Sequence, residues 1–147
     1  MNEESVSIKG HLKLDLHKKD GRVITTETDN TVSTFAKQAI IDKILASPTL
    51  TEKPGWMEVG TSTPASTLLG GYIASSRTAL DSKTRSGAVV TMICTFAAGV
   101  GTGTITEAGV FDVVTQNTVN MWCSASFGAV TKAAGDSLVI TWTLTLS

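Results

Sequence analysis

The sequence predicts an all-β protein, a mainly antiparallel β-sandwich of jelly-roll-like type, carrying one amphipathic α-helix near residues 32–47. Three observations predict it. Thr occurs 23 times and Ser 14 times in 147 residues, with 13 Gly and 3 Pro, a composition that favours strands and turns. Apolar and polar residues alternate with period two at both ends of the chain, as in strands with one buried face. Only one stretch spaces its apolar residues by three and four, as a helix requires. With 41% hydrophobic and 17% charged residues, the chain suits a single ordered domain, 1–147, with a short N-terminal arm, 1–5. At this length roughly two-thirds of the unfolded surface is buried without staples.

Val6, Ile8, Leu12, Leu14 and Leu16 fall on even positions while Ser5, Ser7, Lys9, His11, Lys13, Asp15 and His17 fall on odd ones, so a first strand buries its even side. Gly10 interrupts that side and is expected to mark a bulge. Lys19-Asp20-Gly21 forms a turn, and Arg22 to Thr28 returns as the second strand of a hairpin. Asp29-Asn30-Thr31 is expected to supply a helix cap. Val32, Phe35, Ala36, Ala39, Ile40, Ile44 and Leu45 then line one helical face until Pro48 stops it.

Pro54-Gly55 precedes a short strand, Trp56 to Gly60, and Thr61 to Gly71 is a surface loop rich in Thr, Ser, Pro and Gly. A weaker strand is expected near Tyr72 to Leu80. Another, Gly87 to Ala97, has Val90, Met92, Cys94 and Phe96 on one face. Gly99 to Gly103 reads as a hairpin turn, followed by strands at Thr104 to Val114 and Asn120 to Phe127, the latter with Met121, Cys123, Ala125 and Phe127 on one side. Ser137 to Leu146 alternates most regularly, with Leu138, Ile140, Trp142, Leu144 and Leu146 inward and Val139, Thr141, Thr143 and Thr145 outward. Seven or eight strands result.

Twelve Lys and Arg against thirteen Asp and Glu leave a formal charge of -1, so no general nucleic-acid binding is expected. No apolar run approaches the ~20 residues of a membrane helix, so no membrane association is expected. The acidic start, Met-Asn-Glu-Glu-Ser, lacks the character of an export signal, which suggests synthesis in a cytoplasm with Cys94 and Cys123 reduced and buried. His11 and His17 stand about 20 Å apart along one strand, too far to share a metal; His17 has Asp15 as a neighbour on its face. Gly99-Val100-Gly101-Thr102-Gly103 lacks the Lys-Ser/Thr of a phosphate loop, and Ser75 and Ser76 lack a hydrolase elbow and any downstream His. Paired carboxylates, from Glu58, Glu107 and Asp112, are the one remaining route to catalysis. No enzyme, cofactor or metal site is therefore expected.

Trp122 falls opposite Met121, Cys123 and Phe127, which places its ring on the polar face; with Trp56 it is expected to anchor a partner or face a glycan. Further partner-contact candidates are Arg77 and Arg85, which flank a polar stretch, and Asn2 and Glu3 in the arm. Glu107, between apolar neighbours, is expected to satisfy donors inside the fold, and Trp142 to fill the core. The Thr-rich outer faces are read as plain β-propensity.

Asp29-Asn30-Thr31-Val32, Met57-Glu58-Val59-Gly60-Thr61-Ser62-Thr63, Ile105-Thr106-Glu107-Ala108-Gly109-Val110-Phe111 and the ending Lys132-Ala133-Ala134-Gly135-Asp136-Ser137-Leu138-Val139-Ile140-Thr141-Trp142-Thr143-Leu144 resemble, in that order, small virion structural proteins of tailed bacteriophages. That family comprises capsid-decoration or cement proteins and tail-associated proteins. The chain departs from it at Met121-Trp122-Cys123, where a strand of apolar-Leu-Ala-Arg type would be expected. The resemblance implies a non-enzymatic virion component, made in the bacterial host cytoplasm, that binds the lattice of the major capsid protein as a homotrimer. A tail, baseplate or fibre-attachment component binding tail proteins is the first alternative, and a carbohydrate-binding module the second.

Overall fold

A computed structural model of the chain describes residues 6–50 and 52–147. The opening alternation becomes strand β1 (Ile8–His17), with Leu12, Leu14 and Leu16 buried and Lys9, Lys13 and His17 in solvent. β2 (Val23–Val32) returns antiparallel, in register from His17↔Val23 to Gly10↔Asn30. It continues past Thr28 because Thr31 and Val32 pair with Ser124 and Cys123. Gly10 is not a bulge: the register runs unbroken through it, and the Asn30 side chain fills its space, so that a Cβ would meet Asn30 Oδ1 at 1.6 Å.

Helix α1 (Thr34–Asp42) is shorter at both ends than the 32–47 expected. Val32 remains in the strand, and the Ser33 N–H donates to the Trp122 carbonyl at 2.9 Å. Ser33, rather than Asp29, Asn30 or Thr31, is the N-cap, its hydroxyl accepting from the Ala36 N–H at 3.1 Å. Past the helix, the buried Asp42 carboxylate accepts from the Thr49 hydroxyl and the Leu50 N–H, each at 2.8 Å, and folds the chain back on the helix end.

The remaining strands are β3 (Trp56–Gly60), β4 (Thr78–Ala79), β5 (Ser82–Ser86), β6 (Val89–Phe96), β7 (Gly103–Phe111), β8 (Met121–Lys132) and β9 (Ser137–Leu146). Only β4 survives of the strand expected near Tyr72 to Leu80, and no apolar alternation announces β5. β8 runs beyond Phe127 through a register break, Glu107↔Ser126 giving way to Ile105↔Val130, so odd-numbered Ala125 and even-numbered Val130 are both buried.

The fold is mostly antiparallel β with one short helix, as expected. Its nine strands make one sheet in the order β4-β3-β7-β8-β2-β1-β9-β6-β5, curled into a half-barrel. The edge strands β4 and β5 are joined through Leu80 and Asp81 alone, which draws the two edges together. There the Cys94 thiol donates to the carbonyls of Thr78 and Ala79. Residues 97–102 do not close a hairpin: β6 pairs with β5 and β9, β7 with β3 and β8, so the segment crosses between the halves.

Leu12, Leu14, Met92, Phe96, Ile140 and Trp142 from one half pack in one cluster with Met57, Val59, Ile105 and Val110 from the other and Ala36 and Ala39 of α1. Each large side chain removed from water contributes about 1.5–3 kcal/mol. Cys94 and Cys123 are free and buried; burial pushes the Cys94 thiol up to about 12 and raises that of Cys123 as well.

Candidate functional site

The pleat of β3 sends Met57 and Val59 into the main core and Glu58 to the opposite side, where its carboxylate is 1% exposed. A carboxylate so far from water requires a partner. Arg77 provides it as a two-pronged fork, Nε to Oε2 at 3.2 Å and Nη2 to Oε1 at 3.3 Å. Its Nη1 donates to the carbonyls of Val113 and Thr115 and to the Thr118 hydroxyl, and the guanidinium lies 3.7 Å from the centre of the Phe111 ring. Gln116 completes the network, its Nε2 donating to Glu58 and the Ile73 carbonyl while its Oε1 accepts from the Ser75 N–H. Two loops, 72–77 and 113–118, are thereby fastened to the sheet. Arg77 is an internal group and not the partner contact expected of it, because Glu58 claims its charge.

Glu107 fastens a third loop. Its buried Oε1 accepts from the N–H groups of Ser62 and Gly71 at 3.2 and 2.7 Å, and its Oε2 accepts from that of Gly70 at 2.9 Å. The Thr106 hydroxyl adds a bond to the Ser62 carbonyl at 2.8 Å. Gly60 has to be glycine for this approach, since a Cβ there would stand 2.3 Å from Glu107 Oε1. The Thr61 to Gly71 loop is thus held at both ends by one carboxylate. Trp56, half-buried, packs beside it on Leu69, Phe111 and Met121.

Trp122 is 5% exposed and is not the surface anchor expected from alternation. The face it occupies is covered by α1, whose Phe35 meets the indole edge-on, ring centres 5.8 Å apart. Of the two aromatics expected to offer a platform, only Trp56 reaches the surface. Arg85 is exposed and donates to the Gly87 carbonyl at 2.9 Å. Trp142 lies fully in the core. Asn2, Glu3 and the arm 1–5 lie outside the described residues.

The three candidate carboxylates do not form a catalytic pair. Glu58 is held by Arg77, Glu107 by loop N–H groups, and the half-buried Asp112 has no hydrogen-bond partner among the described residues. Burial, aided by Glu52, pushes the Asp112 carboxyl above its ordinary value. His11 lies between Asp29 and Glu27 at 3.0 and 3.3 Å, and hydrogen bonding to the two acids raises its pKa. Asp15 is engaged by the Thr25 hydroxyl at 2.6 Å and by Lys13 at 3.5 Å rather than by His17. Among the described residues, no group of three His, Cys, Asp or Glu is placed to hold a metal ion, and no helix is long and apolar enough to cross a membrane.

At the opposite end of β8, Asp136 accepts from Lys18 Nζ and from the N–H groups of Lys19 and Ala133 at 2.9–3.0 Å. These donors, Lys18 foremost, pull its carboxyl from 3.8 to about 2. A carboxyl lowered on folding stabilises the protein above its unfolded value and loses that contribution as pH falls through the folded one. Asp136→Asn is therefore expected to lower the urea midpoint at neutral pH and to flatten its decline between pH 3.8 and about 2. Parallel profiles for the two proteins would show that Asp136 does not set this dependence.

Ile41, Ile44 and Leu45 form an apolar patch at the end of α1, exposed by 65%, 79% and 54%. Ile44 and Leu45 were expected to continue the buried face of a longer helix; instead the helix ends at Asp42 and the turns that follow carry them into solvent beside Ile41. No protein-family model, no characterised protein and no solved structure matches this chain.

Proposed function

We propose that the chain is a non-enzymatic structural protein of a tailed-bacteriophage virion, a decoration or cement protein that binds the assembled capsid shell as a homotrimer. The observation that carries this reading is the exposed patch Ile41, Ile44 and Leu45, which nothing among the described residues covers and which a binding partner would bury. Two of the four segments that resemble the family, 57–63 and 105–111, meet as neighbouring strands, with Trp56↔Phe111 through Gly60↔Glu107 in register, which supports a shared structural unit. Loops anchored by Glu58–Arg77 and Glu107 would present their surfaces with little ordering cost. Binding only to the assembled lattice stabilises that lattice by mass action, about 2.7 kcal/mol per site at a hundredfold excess over Kd.

The test is the mass of the protein in solution, followed by pelleting with isolated shells and with isolated tails. A trimer that sediments with shells and raises their disruption temperature is expected. Sedimentation with tails alone would move the protein to the tail, and binding to neither would overturn the reading. Ile44→Glu is expected to weaken shell binding at least tenfold, about 1.4 kcal/mol, with an unchanged circular dichroism spectrum. Full binding by that variant would remove the helix end from the interface.

A further inference from the structure

The register of edge strand β5 against β6 sets Lys83 beside Met92 and Arg85 beside Val90, so both cations stand on the concave side of the sheet. They border a half-open cavity of about 370 Å³ walled by Ile8, Val90, Met92, Trp122 and Leu144, an almost wholly apolar lining. Lys53 joins them at its rim. An inward charge on an edge strand can simply discourage pairing with another sheet, but that role needs neither an apolar hollow nor a third cation from a separate loop.

None of the three cations is in an ion pair among the described residues. Lys83 Nζ donates to the Pro54 carbonyl at 2.5 Å and Arg85 Nη1 to the Gly87 carbonyl at 2.9 Å, so each ends on a neutral acceptor. Partial burial and the neighbouring Lys53 both lower the Lys83 pKa, although the residue stays exposed. The volume lies within the range of small-molecule sites, which pair an apolar lining with a few polar groups that fix orientation.

We propose that this cavity binds an anionic amphiphile, a linear alkyl monocarboxylate of fatty-acid type. The alkyl tail lies against Ile8, Val90, Met92 and Leu144, and the carboxylate sits at the rim between Lys83 and Arg85, with Lys53 adding charge. Arg85 suits a carboxylate through its planar fork, and Lys83 through a compact charge on a flexible stem. Ile40 of α1 also lines the cavity, but Ile41, Ile44 and Leu45 do not, and the proposal stands or falls independently of the virion reading.

Calorimetric titration of the full chain with decanoate, 1-decanol and acetate tests it. Decanoate is expected to bind one per chain, at least tenfold more tightly than 1-decanol, with no measurable heat from acetate. The double variant Lys83→Glu/Arg85→Glu should weaken decanoate at least tenfold, and Lys83→Met/Arg85→Gln serves the same purpose if charge reversal disturbs the fold. Ala88→Trp, at an exposed position lining the cavity, should block binding while leaving the circular dichroism spectrum unchanged. Absence of decanoate binding, equal affinity for 1-decanol, or indifference to the charge variants would each overturn the proposal. A parent chain that binds no decanoate while Ala88→Trp changes the solution mass would make the cavity a contact between copies of the chain instead.

Discussion

Arg77→Ala is expected to destabilise the protein by about 3–5 kcal/mol, because it strands a carboxylate in the interior. Glu58 is as buried as the guanidinium that holds it, 1% exposed on either side of the pair. The same substitution removes the donors to the Val113 and Thr115 carbonyls and the cation over Phe111. With a urea m-value of 1–3 kcal/mol/M, the midpoint should fall by roughly 2 M. Arg77→Lys should recover little, since an ammonium cannot reproduce the fork to both carboxylate oxygens and the bonds to loop 113–118 at once. Glu58→Gln/Arg77→Met, which removes both charges together, should be less destabilised than Arg77→Ala alone. Equal stability of Arg77→Ala and the parent protein would mean that the pair does not hold the loops.

Glu107→Ala is expected to cost about 1–3 kcal/mol, the penalty for leaving buried donors without an acceptor. Three backbone N–H groups, those of Ser62, Gly70 and Gly71, lose their partner at once. The effect should also be local: amide exchange at these three positions should accelerate well beyond that in β1 and β9, where the ladders are continuous. Glu107→Gln, which keeps the volume and one acceptor oxygen, should fall between the parent and Ala. An unchanged urea midpoint in Glu107→Ala would show that the loop keeps its shape without this carboxylate.

Most of the fold was legible because strand alternation survives wherever one face is buried and the other wet. β1 and β9 follow that rule: their register pairs Leu12 with Trp142, Leu14 with Ile140 and Leu16 with Leu138, and all six are inside. β3 and β9 begin and end at the residues their patterns indicated. β5 escaped notice because Ser82, Lys83, Thr84, Arg85 and Ser86 contain no apolar residue; as an edge strand it owes its pairing to β6 alone. The helix ended early because Asp42 turns its carboxylate to Thr49 and Leu50, a bond no periodicity reveals.

The functional residues divide along the same line. Glu107 could be singled out in the sequence as a charge amid apolar neighbours, and it lies at 0% exposure. Glu58 carried an equivalent signal, lying between Met57 and Val59, but its partner could not be read, since Arg77 is 19 positions away and reaches it only once β3 and the following loop are folded. Trp122 shows the limit of periodicity most directly. Alternation set it opposite both Met121 and Cys123, but the register break between Val110↔Cys123 and Phe111↔Met121 leaves Trp122 as the extra residue, and it packs in the same core cluster as Cys123 while Met121 joins Phe111 in the other. Whether its ring meets water depends on what packs against it, and here α1 does.

The sequence by itself determined the strand-rich class, the buried faces of β1 and β6, that of β9 except Leu146, which the structure leaves exposed, the single helix and the core placement of both cysteines and Trp142. Tertiary structure alone decided that the strands join into one curled sheet, that Arg77 turns inward, that Trp122 is covered, and that Lys83 and Arg85 border an apolar cavity. The reason is the range of the forces involved. Hydrophobic periodicity is written over a few neighbouring residues, whereas burial, ion pairing and cavity shape depend on groups that only the folded chain brings together.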